Sequence, residues 1–217
     1  MERIAVGVVL SLLVLEIVGC GGDDPVGTKD PPVMIEAGLS GDTYINTKFG
    51  VKVENIPTEG WTVKALGKDG QGLLESGEQY YIPMYHLLLM EPVPENEFVN
   101  LDVSQSLNPV IDAEIPCIWI ALDYWEGGEY ETHDLTENLE SYAALHGAEI
   151  ESKKMIGTGK NTGIQAVLIR SFGKEAITWF AKGELCVRCE YIATESEFHV
   201  GFITYQQISQ SITLMGK

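Results

Sequence analysis

The chain has 217 residues with 32 acidic and 14 basic side chains, a net charge of −18 at neutral pH, and 45% hydrophobic residues. That length and apolar content suit one domain with a substantial core, and the acidic excess argues against nucleic acid or anionic lipid headgroups as partners. The 23 glycines are dispersed among turns, and no internal repeat is visible.

The opening residues read as targeting sequence. Ile4 to Leu15 is a 12-residue apolar block, the length of a signal-peptide core and too short to span a bilayer comfortably. Ile17-Val18-Gly19-Cys20 closes it, and Gly21-Gly22-Asp23-Asp24 follows. The pattern resembles the lipobox of bacterial lipoproteins, although Arg3 is the only basic residue ahead of the block and Glu16 lies just before the box. The resemblance implies cleavage before Cys20 and acylation of its thiol. Each buried methylene contributes about 0.8 kcal/mol, so two or three chains hold a protein on a bilayer durably. An extracytoplasmic, lipid-anchored protein of the bacterial envelope is therefore expected. Since Gly21 and Gly22 lack the aspartate that retains enteric lipoproteins at the inner membrane, the outer membrane is expected in a two-membrane cell. Without Glu2, Arg3 and Glu16 the mature chain keeps 13 basic and 30 acidic side chains, a net charge of −17.

This divides the chain into a signal peptide (1–19), a Gly/Asp/Pro-rich flexible tether (20–34) and a single domain (35–217). Within the domain, Tyr44–Asn46 and the run through Val51, Val53 and Asn55 read as opening strands. Pro57-Thr58-Glu59-Gly60 turns the chain into a returning strand, Trp61–Ala65. Leu66–Ile82 reads as irregular, Tyr85–Glu91 as a short apolar strand and Val99–Val103 as a half-buried one.

Ile115–Tyr124 is apolar on both parities, with Ile118, Ile120 and Leu122 on one face and Cys117, Trp119 and Ala121 on the other. Burial on both faces requires a layer above and below the sheet. Asp134-Leu135-Thr136-Glu137 has the form of a capping box, and Leu135, Leu139, Tyr142 and Leu145 share one helical face. Ile150–Ile156, Ile164–Phe172, Ala176–Lys182 and Leu185–Ala193 read as successive antiparallel strands, the last two joined through Gly183-Glu184. A helix from about Ser196 to Leu214 closes the chain, with Phe198, Phe202, Tyr205, Ile208 and Ile212 on its apolar face.

The opening strand, Pro57-x-x-Gly60-Trp61 and the Phe/Tyr/Ile-lined last helix ending Ser209-Gln210-Ser211-Ile212 together resemble the PsbP-like family. That family includes a photosystem extrinsic protein of the thylakoid lumen, Ran-binding Mog-type proteins and exported bacterial lipoproteins. The resemblance implies an α+β fold, an α/β/α sandwich around a mostly antiparallel sheet, and a noncatalytic binding or assembly-support role. It supplies no catalytic residue.

The residues that could carry chemistry each have a plainer explanation. Cys186-Val187-Arg188-Cys189 has redox or zinc spacing, but in a strand residues three apart point to opposite faces about 10 Å apart, too far for a disulfide. Cys189 shares the apolar face of Leu185, Val187 and Tyr191, whereas Cys186 sides with Arg188 and Glu190; either thiol could pair with Cys117. Asp123, Glu126, Glu129, Glu131 and Asp134 crowd one loop beside His133, and they are either a solvated acidic surface or ligands for calcium. Gly127 and Gly128 should leave that loop mobile. Gly157–Gly163 resembles a phosphate loop but joins two strands and offers no helix N-terminus. His86, His133, His146 and His199 are scattered, with no nucleophile or acid–base motif nearby.

The expected function is thus a membrane-tethered binding domain with a protein partner. A calcium-binding lipoprotein and an enzyme without a recognisable motif are the alternatives. Trp61 is expected beneath the last helix, against Phe202, Tyr205 and Ile208.

Overall fold

The computed structural model describes residues 37–66, 73–74, 84–92, 116–157 and 162–215. The expected signal segment with Cys20, the tether and the expected strand Val99–Val103 lie outside the described residues.

Period-two patterning yields two antiparallel sheets. The smaller has the order β1-β2-β3-β12, formed by β1 (Ala37–Ser40), β2 (Thr43–Asn46), β3 (Val51–Val53) and β12 (Thr213–Leu214). The larger runs β4-β6-β7-β11-β10-β9-β8. Its members are β4 (Thr62–Ala65), β6 (Met84–Glu91), β7 (Cys117–Tyr124), β8 (Glu149–Ile156), β9 (Thr162–Arg170), β10 (Gly173–Lys182) and β11 (Leu185–Ala193). The short β5 (Leu73–Leu74) pairs with β6.

Strand β7 is central and buried on both parities. Ile118, Ile120 and Leu122 join Val187, Cys189 and Tyr191 of β11 and Tyr205 and Ile208 of α2 (Phe198–Ser211) in one apolar cluster. Tyr44, Val51 and Val53 of the smaller sheet belong to the same cluster. On the opposite face Ile164, Ala166, Leu168, Ile177 and Trp179 pack against Leu135, Leu139 and Ala143 of α1 (Thr132–Leu145). The mixed α+β architecture, with a helix on each face of an antiparallel sheet, is the one the PsbP-like resemblance implies.

Several local expectations are corrected. The reciprocal cap of α1 is Glu131–Asp134, where Glu131 N donates to Asp134 Oδ2 at 2.7 Å, three residues ahead of the expected Asp134–Glu137 box. Leu145 is 81% exposed. The buried stripe runs through Leu135, Leu139 and Ala143, and at 100° per residue Leu145 points well to one side of it. Helix α2 stops at Ser211, because Thr213 and Leu214 enter the small sheet opposite Lys52 and Val51. The last strand passes so close to Gly50 (φ +68°) that a Cβ there would lie 2.8 Å from Met215 O. The expected opening strand also gained a partner, β1, folded back through Gly41-Asp42.

Helix α2 lies on the sheet through an aromatic stack. Tyr191 stacks on Tyr205 at 6.0 Å and lies 5.4 Å from Phe198, and Phe202 stacks between Phe198 and Tyr205 at 5.1 and 5.8 Å. Gly201 makes this approach possible, since a Cβ there would sit 2.5 Å from Tyr191 Oη. In an exposed helix Gly→Ala gains about 1 kcal/mol. Here Gly201→Ala should instead destabilise by about 1–3 kcal/mol, the usual range for overpacking, read as a lowered midpoint in urea unfolding.

Candidate functional site

Charged side chains in the larger sheet gather on the face toward α1. Register aligns His86, Ala121, Arg188, Trp179 and Ile164 in one row across five strands. The Arg188 guanidinium lies over the Trp179 ring at 4.5 Å, and its Nε is 3.4 Å from Asp123 Oδ2 and 3.8 Å from Glu190 Oε1. The Trp179 indole N–H donates to Glu190 Oε1 at 2.8 Å. On the next strands, Tyr142 Oη of α1 donates to Glu175 Oε1 at 2.7 Å, and Arg170 donates to the other oxygen of the same carboxylate. Glu175 and Glu190 are fully or almost fully buried.

The electrostatics follow from burial and from an unequal count of three carboxylates to two guanidiniums. Burial raises the pKa of Glu175, the nearby Glu190 charge adds to this, and together they push it to about 7, against the pull of Arg170 and Tyr142. Glu190 and Asp123 are also raised, chiefly by burial, with Arg188 opposing. Burial works against the charge on Arg188, yet Asp123 and Glu190 hold it protonated. The cluster fastens α1 to the sheet and exchanges a proton near neutrality. Its acids and bases are already engaged with one another, so it presents no nucleophile beside a free base.

The five loop carboxylates, read as either a solvated acidic surface or calcium ligands, have separate roles. Asp123 turns inward to Arg188, Glu131 and Asp134 form the helix cap, and Glu126 and Glu129 are exposed. Among the described residues no three His, Cys, Asp or Glu side chains come together as a metal-binding group. The loop is also fastened down despite Gly127 and Gly128. Tyr124 Oη and Gly127 N donate to the Glu184 carboxylate at 2.9 and 2.8 Å, and Tyr130 N donates to Gly183 O at 2.9 Å.

Cys117, Cys186 and Cys189 are buried free thiols. The faces are as expected, Cys189 in the α2-side core and Cys186 on the α1 side. Neither of the two possible disulfides forms, because Cys117 stands opposite Ile192, three residues from Cys189 and six from Cys186, about 10 and 20 Å along the strand. Burial raises the Cys186 and Cys189 thiol pKa values, which keeps both protonated and unreactive. Trp61 reaches the edge of the α2-side core together with Phe202, but it is half-buried there, while Tyr205 and Ile208 are fully buried. Trp61 follows the turn at Gly60 (φ +73°) and stands directly ahead of β4.

The outer side of helix α2 has a feature not anticipated from its periodicity. Its solvent side carries Val200 and Ile203, 69% and 64% exposed, with His199, Gln207 and Gln210. No Lys, Arg, Asp or Glu occurs anywhere in its sequence, FHVGFITYQQISQS.

No family model and no curated protein matches this chain. Among solved structures it is similar to the solution structure of cyanobacterial PsbP from Synechocystis sp. PCC 6803, with a TM-score of 0.49 and 9% identity. The match covers 88% of this chain and 99% of that one. Among the described residues no helix is long and apolar enough to cross a membrane.

Proposed function

We propose that this chain is a noncatalytic, lipid-tethered extracytoplasmic binding or assembly-support protein that presents the outer side of α2 to a protein partner. The composition of that helix carries the reading. In a chain with 21% charged residues, a helix of 14 residues without a formal charge exposes two aliphatic side chains. A solvated helix face ordinarily carries charge, whereas the core of a protein interface is depleted in it. The tether rests on the lipobox at Cys20 and places the domain at a bilayer surface, where assemblies of membrane proteins expose their extramembrane partners.

The test is affinity purification of the full chain from detergent-solubilised membranes, comparing wild type with Val200→Glu and Ile203→Glu. Both positions are exposed, so stability should change by no more than about 0.5 kcal/mol. Recovery of the partner should fall at least about tenfold, the effect of losing 1.4 kcal/mol at an interface core. Undiminished recovery with both variants would reject α2 as the contact surface. Mass spectrometry of the same wild-type preparation should find an acylated Cys20 as the first residue, and an unmodified Cys20 would reject the tether.

A further inference from the structure

Beside α2 the larger sheet ends in an edge strand with one neighbour among the described residues. Among the described residues β8 ends the strand order, and every residue from Glu151 to Met155 is exposed. Its pairing with β9 shifts between Ile150 and Ser152, then runs regularly from Ser152 opposite Val167 to Ile156 opposite Gly163. The shift confines the irregularity to Glu151. Five consecutive residues are left, and on alternate ones the backbone N–H and C=O point outward, where they can extend the ladder.

Residues paired across the ladder share a face. Lys153 and Met155 lie on the α1 side, where Lys153 binds Glu140 at 2.5 Å and Met155 meets Thr136. Ser152 and Lys154 lie on the α2 side, with Val167 and Gln165 of β9. There the sheet extends beyond the helix, and a groove of about 220 Å³ lies between the strand edge and α2, lined by Ser152, Lys154, Gln165, Val167, Phe202 and Gln206. Gln165 is fixed by donating to Thr178 Oγ1 at 3.2 Å, and Thr178 in turn bonds Tyr205 Oη at 2.6 Å. Near the edge, Lys174 is engaged by Glu151 at 2.7 Å. Lys154 pairs with no carboxylate among the described residues, so it is a cation left open in a chain with 32 acids and 14 bases.

We infer that β8 and this groove take an extended acidic segment of a partner protein, which adds to the sheet as a further strand. The inference rests on the binding role proposed above and specifies the partner's chemistry. Backbone hydrogen bonds to Ser152–Ile156 supply the ladder. A carboxylate opposite Lys154 forms the cross-strand ion pair. An apolar side chain two positions away lies opposite Ser152, whose small side chain leaves Val167 and Phe202 within its reach. The lysines that guard an edge against indiscriminate pairing here select a partner of opposite charge.

The test uses the full chain in detergent micelles and two short, acetylated and amidated probes of threonine-rich strand sequence. One carries Glu and Phe two positions apart, and the other carries Lys in place of that Glu. Hydrogen exchange of the β8 amides is followed by mass spectrometry at up to about 1 mM probe. The acidic probe should slow exchange of the outward-facing amides within Ser152–Ile156 about tenfold when present at ten times its Kd. Lys154→Glu should reverse the preference, so that the Lys probe protects β8 and the Glu probe no longer does. Protection absent from β8, or equal with both probes, overturns the inference. If Ile203→Glu abolishes partner recovery while neither probe protects wild-type β8, strand addition fails and the binding role stands. If β8 is protected selectively while Val200→Glu and Ile203→Glu leave recovery intact, strand addition stands and the α2 contact fails.

Discussion

Arg188→Met should destabilise the protein by about 3–5 kcal/mol, the usual cost of removing one partner from a buried ion pair. That is a large fraction of the roughly 5–15 kcal/mol that holds a domain of this size. Methionine fills much of the space against Trp179 that the arginine stem occupies, so the loss is mainly electrostatic. Asp123 and Glu190 would remain on the α1 face without the cation that opposes their raised pKa values, with only the Trp179 indole still donating to Glu190. Both carboxyls would then take up protons more readily. The deficit measured by urea unfolding should therefore be largest near pH 8 and shrink toward pH 5. Adding Asp123→Asn and Glu190→Gln to Arg188→Met should restore most of the lost stability, because no buried charge remains. An Arg188→Met protein as stable as wild type at pH 8 would show that the cluster lies in solvent.

The second large effect is the pH dependence that Glu175 imposes. Its folded-state pKa is raised from 4.5 to about 7, so the folded protein binds this proton more tightly than the unfolded chain does. The stability it contributes is present in full below pH 4.5 and is lost as the pH rises through 7. The total loss by pH 8 is on the order of 3 kcal/mol. The groups facing it are Tyr142 of α1, Arg170 of β9 and Glu190 of β11. Glu175 and Glu190 titrate as one system, so each alters the other's proton affinity. Unfolding free energy should thus fall steadily between pH 5 and pH 8. Glu175→Gln should flatten most of that slope, since the amide oxygen still accepts from Tyr142 and carries no charge to lose. A wild-type protein whose stability rises over the same interval would contradict this protonation.

The alternation of side chains in β7 and β11 is enough by itself to assign their faces. Ile118, Ile120 and Leu122 did go one way and Trp119 and Ala121 the other, and Cys189 did separate from Cys186. Such features are local, because a pleated strand has a period of two whatever its neighbours are. The helical period of α2 is equally local, and it placed Tyr205 and Ile208 in the core. The lipobox-like run at Ile17–Cys20 is local in the same sense, a short linear pattern.

The charged cluster was not legible in this way. Asp123, Glu175, Arg170, Arg188 and Glu190 are ordinary strand residues in sequence, and only the order β7-β11-β10-β9 and its register bring them together beneath α1. Asp123 read as a loop ligand because sequence shows its neighbours along the chain and hides its partner on the adjoining strand. Leu145 and Trp61 show the converse: both are large apolar residues, yet Leu145 is 81% exposed and Trp61 only half-buried. The sequence by itself determined which residues alternate, coil and turn. The tertiary structure alone decided which charges meet, where the sheet stops and which side of α2 stays in water, because each depends on strand order, a contact between segments far apart in the chain.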